Sequence, residues 1–150
     1  MILNRNFKDF KFRHKRNKNQ IIYTSNKTPD DYEVINLIEN FLKEKNSFIF
    51  ESVEKGKIRG RYTIFGKNPD KIWEFNNKNS YLIKNNIKKK IKGSPDKIIE
   101  NIIEEFKFKT PVGLPPICSL ISGYFSYDSI RYVEKIPNSC KDDLKLPDVR

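Results

Sequence analysis

The stretch from Ser47 to Gly66, SFIFESVEKGKIRGRYTIFG, decides how the chain folds. It opens with Phe48, Ile49, Phe50 and Val53, aromatic and β-branched residues that suit a pleated, half-buried surface. Glu54-Lys55-Gly56-Lys57 then supplies a glycine-containing turn, and Ile58 to Gly66 returns with similar composition. Two such runs joined by a short turn predict a β-hairpin. Side chains alternate along a strand, so Phe48, Phe50 and Ser52 fall on one face and Ile49, Glu51 and Val53 on the other.

Upstream of the hairpin, Thr28-Pro29-Asp30-Asp31 reads as a helix start. Thr28 suits the N-cap, Pro29 the first helical position, and two aspartates the positive end of the helix dipole. Val34, Leu37, Ile38, Phe41 and Leu42 recur as one helical stripe, which predicts a helix from about Asp30 to Lys45. Gln20 to Thr24 is a short strand candidate. Residues 1–19 read as a basic flexible arm with His14 solvated within it.

Downstream, Lys71–Phe75, Ser80–Lys84 and Ile87–Lys92 read as strands separated by asparagine-rich turns. The lysines of the third suit an edge that resists unwanted pairing, and Lys88-Lys89-Lys90 reads as a solvated face. Ser94-Pro95-Asp96 begins a second helix with an apolar stripe of Ile99, Ile102, Ile103 and Phe106. Ile117 to Tyr127, ICSLISGYFSY, is nearly continuously apolar and predicts a central strand. Asp128 would cap a short helix over Ser129–Glu134 and pair with Arg131, while Lys135–Arg150 reads as loop. Tyr62, Trp73, Tyr124 and Phe125 are expected as core aromatics, and Gly123 as a point of close backbone approach. The order predicts an α+β fold, an antiparallel sheet of hairpins with two or three packing helices.

Composition narrows the function classes. The 150 residues carry 30 Lys+Arg against 19 Asp+Glu, a net charge of +11, with only 37% hydrophobic residues. Eleven Phe, seven Tyr and one Trp supply bulky core material and argue against disorder. No apolar run approaches the roughly 20 residues needed to span a bilayer. The polar, basic start lacks the apolar stretch of a secretory signal, so a cytoplasmic protein is expected. Cys118 and Cys140 are then free thiols, and with His14 they make only three scattered metal-ligand candidates. The basic charge invites a nucleic-acid reading, but the lysines spread over every segment and the chain has no alanine. Lys, Asn and Ile have A/T-rich codons and alanine G/C-rich ones, so base composition explains the excess.

No phosphate-binding glycine loop, nucleophile elbow, zinc-protease helix or kinase motif is present. Glu104-Glu105 and Asp142-Asp143 read as solvated carboxylates. Taken alone, residue types and spacing reach a basic α+β domain without a convergent catalytic pocket.

Three stretches go further. Phe48-Ile49-Phe50-Glu51-Ser52-Val53 with Gly60-Arg61-Tyr62-Thr63, Gly66 and Pro69 resembles the "LLESVE…GRYS…G.DP" block of anthranilate synthase component I. Leu114-Pro115-Pro116 leading to Gly123-Tyr124-Phe125-Ser126-Tyr127-Asp128-Ser129-Ile130-Arg131-Tyr132-Val133-Glu134-Lys135-Ile136-Pro137 resembles its "GYFGYDxVRxVE.LP". Asp142-Asp143-Leu144 and Leu146-Pro147-Asp148 match its "DDLxLPD" continuation. Thr63 and Ser126 stand where the family has Ser and Gly.

The resemblance implies the N-terminal domain of the large subunit, over residues 20–150, without the C-terminal chorismate-binding half. It implies an enzyme of tryptophan biosynthesis, a lyase, whose full-length form uses Mg²⁺ and ammonia from a glutamine amidotransferase partner. It implies no catalytic residue, no bound metal and no activity in this portion alone. It assigns Glu51 and Ser52 to the pocket where L-tryptophan acts as feedback effector. Arg61, on the returning strand, is a candidate charge for that ligand. Glu51 and Ser52 point to opposite faces of a regular strand, so Ser52 would offer its hydroxyl and Glu51 its backbone or a bulge. Aminodeoxychorismate synthase component I is the nearest competing family, and the Glu51-Ser52 and Gly60-Arg61-Tyr62 combination favours the anthranilate enzyme. A small basic nucleic-acid-binding module is the alternative from another class, and the scattered lysines argue against it.

Overall fold

A computed structural model describes residues 2–3, 7–16, 19–21, 23–25, 31–51, 62–77, 79–108, 110–139 and 141–150. The elements in chain order are β1 (Ile2–Leu3), α1 (Phe7–His14), β2 (Thr24–Ser25), α2 (Asp31–Leu42), β3 (Phe48–Glu51), β4 (Thr63–Gly66), β5 (Ile72–Asn76), β6 (Asn79–Lys84), β7 (Ile87–Ile91) and α3 (Pro95–Phe106). Two 3₁₀ turns follow, Pro116–Ser119 and Tyr127–Tyr132. Helices and antiparallel strands thus make the expected α+β fold. The chain divides into two compact units, residues 25–70 and residues 2–24 with 71–150.

In the first unit, β3 and β4 pair antiparallel, with Phe48 opposite Gly66 and Glu51 opposite Thr63. The predicted hairpin is present; its turn at Glu54–Lys57 lies outside the described residues, as do Thr28 and Pro29. Alternation holds, since the Phe48 and Phe50 rings share a face with centroids 5.1 Å apart. The α2 helix packs on the hairpin through Phe41, whose ring meets Phe65 edge-on at 4.8 Å. Lys67 sits 4.9 Å above the same Phe41 ring and pairs with Glu44 at 3.4 Å. Leu37 and Leu42, expected in the buried stripe, are exposed, whereas Val34, Ile38 and Phe41 are half-buried. The helix face turned to the hairpin is therefore narrower than the stripe.

The second unit is built on the meander β5-β6-β7, antiparallel throughout, with Phe75 opposite Ser80 and Ser80 opposite Ile91. Its tight turns use asparagines in the left-handed region, Asn77 between β5 and β6, and Asn85 with Asn86 between β6 and β7. Asparagine tolerates that conformation because its short amide bonds locally. β7 is the edge the lysines predict.

The core of this unit is Phe75, Ile98, Ile102 and Val149, with Trp73, Ile91, Ile99 and Tyr132 packed against it. α3 lies on the Phe75 side of the sheet through Ile98 and Ile102, and its Phe106 ring meets Trp73 edge-on at 5.9 Å. Ile103, expected on the apolar stripe, is 55% exposed because the buried row runs through Ile98 and Ile102, four residues apart. Ser94 is the N-cap residue and Pro95 follows as predicted, but the Ser94 hydroxyl makes no capping bond to the helix backbone. It instead holds the Asp96 carboxyl below its ordinary value by a side-chain hydrogen bond. At the other end, the Asn19 side-chain amide donates to the carbonyls of Glu105 (2.5 Å) and Lys107 (3.2 Å), satisfying acceptors the helix leaves open. Within the basic arm, Phe7–His14 is helical, and exposed His14 stacks on Phe10.

The central strand expected over Ile117–Tyr127 does not form. Pro115 and Pro116 turn the backbone into a 3₁₀ segment through Ser119, and among the described residues the segment finds a strand partner only at 124–126. A central strand needs neighbours on both edges, and among the described residues this segment has one. Its apolar side chains are accordingly open: Phe125 is 68% exposed, and Ile117, Ile121 and Tyr124 are exposed as well. Phe125, Tyr124 and Tyr62 are therefore surface aromatics, and of the four expected in the core only Trp73 packs there. The short helix near Asp128 is a 3₁₀ turn with Ser126 at its start, and Asp128 pairs with Arg131 at 2.9 Å as expected.

Candidate functional site

Of the three residues assigned to the tryptophan pocket, Glu51 lies at the exposed end of β3 opposite Thr63. Ser52 and Arg61 lie outside the described residues, and so does Cys140. Cys118 is a free, half-buried thiol. Among the described residues no three His, Cys, Asp or Glu side chains gather where they could hold a metal ion. No helix among them is long and apolar enough to cross a membrane.

What the structure does bring together is the pair of family-like blocks in the second unit. The tripeptide Asp148-Val149-Arg150, read from sequence as loop, enters as a short strand between β5 and the Tyr124–Ser126 segment. On one side, the Phe75 amide donates to the Val149 carbonyl at 2.9 Å and the Asp148 amide to the Phe75 carbonyl at 2.8 Å. On the other, Tyr124 and Arg150 exchange both backbone bonds (2.8 and 3.1 Å), and the Ser126 amide donates to the Asp148 carbonyl at 2.7 Å. Val149 is thus opposite Phe75 and opposite Phe125, and it is buried. Gly123 stands beside this seam. A Cβ there would run into the Arg150 carbonyl, so the close approach expected at Gly123 is real, made to the tripeptide rather than inside a central strand.

Charged groups flank the seam. Glu74 is only 8% exposed, yet its carboxylate meets Lys88 Nζ at 2.5 Å and Arg150 Nε at 3.2 Å. Lys88 and Arg150 supply the cationic hydrogen-bond partners that a nearly buried carboxyl group needs. Asp148 Oδ2 accepts from the Asn77 amide at 2.5 Å and from the Tyr132 hydroxyl at 2.6 Å. Burial, and then this bond to Asp148, pushes the Tyr132 phenol well above its ordinary value. The arrangement can fix backbone geometry and orient side chains; it offers no nucleophile beside a base. Sequence reasoning missed Glu74, Asn77, Tyr132 and Arg150 as partners. The signal available was an acidic residue inside the apolar strand IWEF, which needs a cation from a neighbouring strand.

These features define an α+β chain in which the Gly123–Pro137 block meets Asp148, the last residue of the Leu146-Pro147-Asp148 block, and the two residues after it on one sheet. Comparison with known proteins supplies the family. The anthranilate synthase component 1 of Cereibacter sphaeroides is 33% identical over 147 residues, 95% of this chain and 29% of that protein. The one from Acetivibrio thermocellus is 36% identical over 128 residues, 85% of this chain and 25% of its own length. The chloroplastic anthranilate synthase alpha subunit 1 of Oryza sativa subsp. indica is 37% identical over 120 residues, 71% of this chain and 20% of its own length. No family model and no solved structure matches the chain. The chain belongs to the anthranilate synthase component 1 family, and it spans between 20 and 29% of the length of these relatives.

Proposed function

We propose that this chain is the N-terminal portion of the large subunit of anthranilate synthase. That enzyme converts chorismate and ammonia to anthranilate and pyruvate with release of water, and it opens the cytoplasmic route to tryptophan. The single observation that carries the reading is 33% identity extending over 95% of the chain, with only 29% of the relative covered. On this reading chorismate and Mg²⁺ bind in the portion the chain does not span, the glutamine amidotransferase subunit delivers ammonia there, and these 150 residues alone catalyse nothing.

The role left to this portion is sensing tryptophan. Alternation in the sequence would put Ser52 on the face of Phe48 and Phe50, and its hydroxyl suits a free amino acid's ammonium or carboxylate. Glu51 would contribute backbone groups, and Arg61 from the return strand a positive charge. The exposed aromatic edge at Tyr124–Tyr127 is where the rest of the polypeptide would pack.

Calorimetric titration and an anthranilate fluorescence assay test this. The chain alone should bind L-tryptophan weakly or not at all and form no anthranilate from chorismate, ammonium and Mg²⁺. Fused to the remainder of the Acetivibrio thermocellus relative, it should restore both activity and tryptophan inhibition, and Ser52→Ala should weaken the inhibition. Tight tryptophan binding by the chain alone, lost in Ser52→Ala, would overturn the shared pocket. A fusion that stays inactive while folded would overturn the assignment to this enzyme.

A further inference from the structure

We propose that Asp148-Val149-Arg150 is a clasp, locked by Glu74, through which the aromatic segment from Gly123 to Tyr132 is held on the sheet and released from it as one unit. The argument starts from connectivity. Among the described residues, no hydrogen bond runs directly from residues 120–134 to β5, β6 or β7. Every polar link between them passes through the tripeptide. Tyr124 and Ser126 bond to Arg150 and Asp148 along the backbone, and Tyr132 bonds to the Asp148 carboxylate. The tripeptide in turn bonds to Phe75, Asn77 and Glu74.

A three-residue strand is a weak element, because few ladder bonds offset the cost of ordering it. Two additions make it hold. Val149 is buried in the core beside Phe75. Arg150 meets the nearly buried Glu74 carboxylate, which Lys88 of β7 completes from the other side. Glu74 therefore ties the tripeptide to the edge strand as well as to β5. The Arg150 and Lys88 side chains are 36% and 45% exposed, so salt reaches this lock while leaving the apolar core alone. Amides that depend on one opening event exchange with one common protection. The clasp thus predicts a cooperative unit made of 123–132 and 148–150, separate from β6, β7 and α3.

Hydrogen exchange with site resolution on the full chain tests this, comparing the natural sequence with Glu74→Gln and Arg150→Gln. In both variants protection should fall about tenfold, by a common factor, at the amides of Phe75, Tyr124, Ser126, Asp148 and Arg150. Amides of Leu82, Ile83 and Ile102 should stay more protected than these in the natural sequence and in both variants, because they exchange only through the larger opening of the sheet and α3. Raising the salt concentration should produce the same pattern in the natural sequence and a smaller one in Glu74→Gln. Loss of protection at Asp148 and Arg150 with Tyr124 and Ser126 unchanged would overturn the clasp. So would a single protection level shared by these amides and those of β6 and α3 in the natural sequence. Should Glu74→Gln fail to fold, the salt series and Arg150→Gln decide by the same criteria.

Discussion

Tyr132 donates its hydroxyl to Asp148 Oδ2 at 2.6 Å, and the Asn77 amide donates to that same oxygen at 2.5 Å. One carboxylate oxygen thereby ties the 3₁₀ turn, the 148–150 strand and the β5–β6 turn to a single point. Removing the hydroxyl in Tyr132→Phe keeps the ring against the core and leaves Asp148 its backbone donor. The expected cost near neutral pH is about 1 kcal/mol, the net worth of an ordinary hydrogen bond. The variant also carries a pH signature. Burial first, and Asp148 second, raise the Tyr132 phenol above its ordinary value of 10.0, so the folded chain keeps a proton that the unfolded chain gives up. Stability from this group is complete below pH 10 and declines as pH rises beyond it. Urea unfolding at pH 8 and pH 10.5 should show the difference between natural sequence and Tyr132→Phe shrinking at the higher pH.

Phe75 is 2% exposed and is the residue on which the second unit is assembled, with β6, the tripeptide and α3 around it. Phe75→Ala should destabilise this unit by about 3–5 kcal/mol, the range for emptying a buried aromatic site. Phe75→Leu, which keeps most of the volume, should cost markedly less. Thermal unfolding followed by Trp73 fluorescence reads the effect, since Trp73 packs against this core.

Local rules made the hairpin, the meander and both longer helices legible. Alternation, asparagine turns and the Ser94-Pro95 start act over a few residues, and the structure keeps all of them. The segment Ile117–Tyr127 was not legible, because an apolar run reports burial only if something arrives to cover it. Its partner is Asp148-Val149-Arg150, more than twenty residues later in a polar stretch with no strand pattern. The Glu74 lock shares this difficulty, since its cations come from β7 and from Arg150. Of the candidate tryptophan site, the sequence offers Glu51, Ser52 and Arg61, and Glu51 alone of the three lies among the described residues. No local pattern could say what approaches it.

Two ion pairs of similar length should differ sharply in worth. Lys107 and Glu104 lie 3.0 Å apart with both side chains about 70% exposed, so water and salt screen them. Glu104→Gln should change stability by less than about 0.5 kcal/mol. Glu74→Gln removes the charge from a nearly buried position facing two cations and should cost about 1–3 kcal/mol. Chemical unfolding of the two variants side by side measures the ratio, and equal effects would contradict the burial of Glu74.

Gly123 and Gly113 separate space from backbone conformation. Gly113 has φ of +93° and open surroundings, so Gly113→Ala meets only the local cost of a conformation that side chains resist, about 1 kcal/mol. Gly123 has no such φ, but a methyl group there collides with the Arg150 carbonyl, a backbone atom that cannot swing aside. Relief requires moving the tripeptide away from Tyr124, which stretches the paired bonds at 2.8 and 3.1 Å. Gly123→Ala should therefore cost about 1–3 kcal/mol and should do so through the seam. In a double-mutant cycle with Tyr132→Phe, whose hydroxyl bonds to the same tripeptide, the two effects should fall short of additivity. Gly113→Ala with Tyr132→Phe should add, because a methyl group at Gly113 meets nothing within 4 Å and so cannot press on the seam.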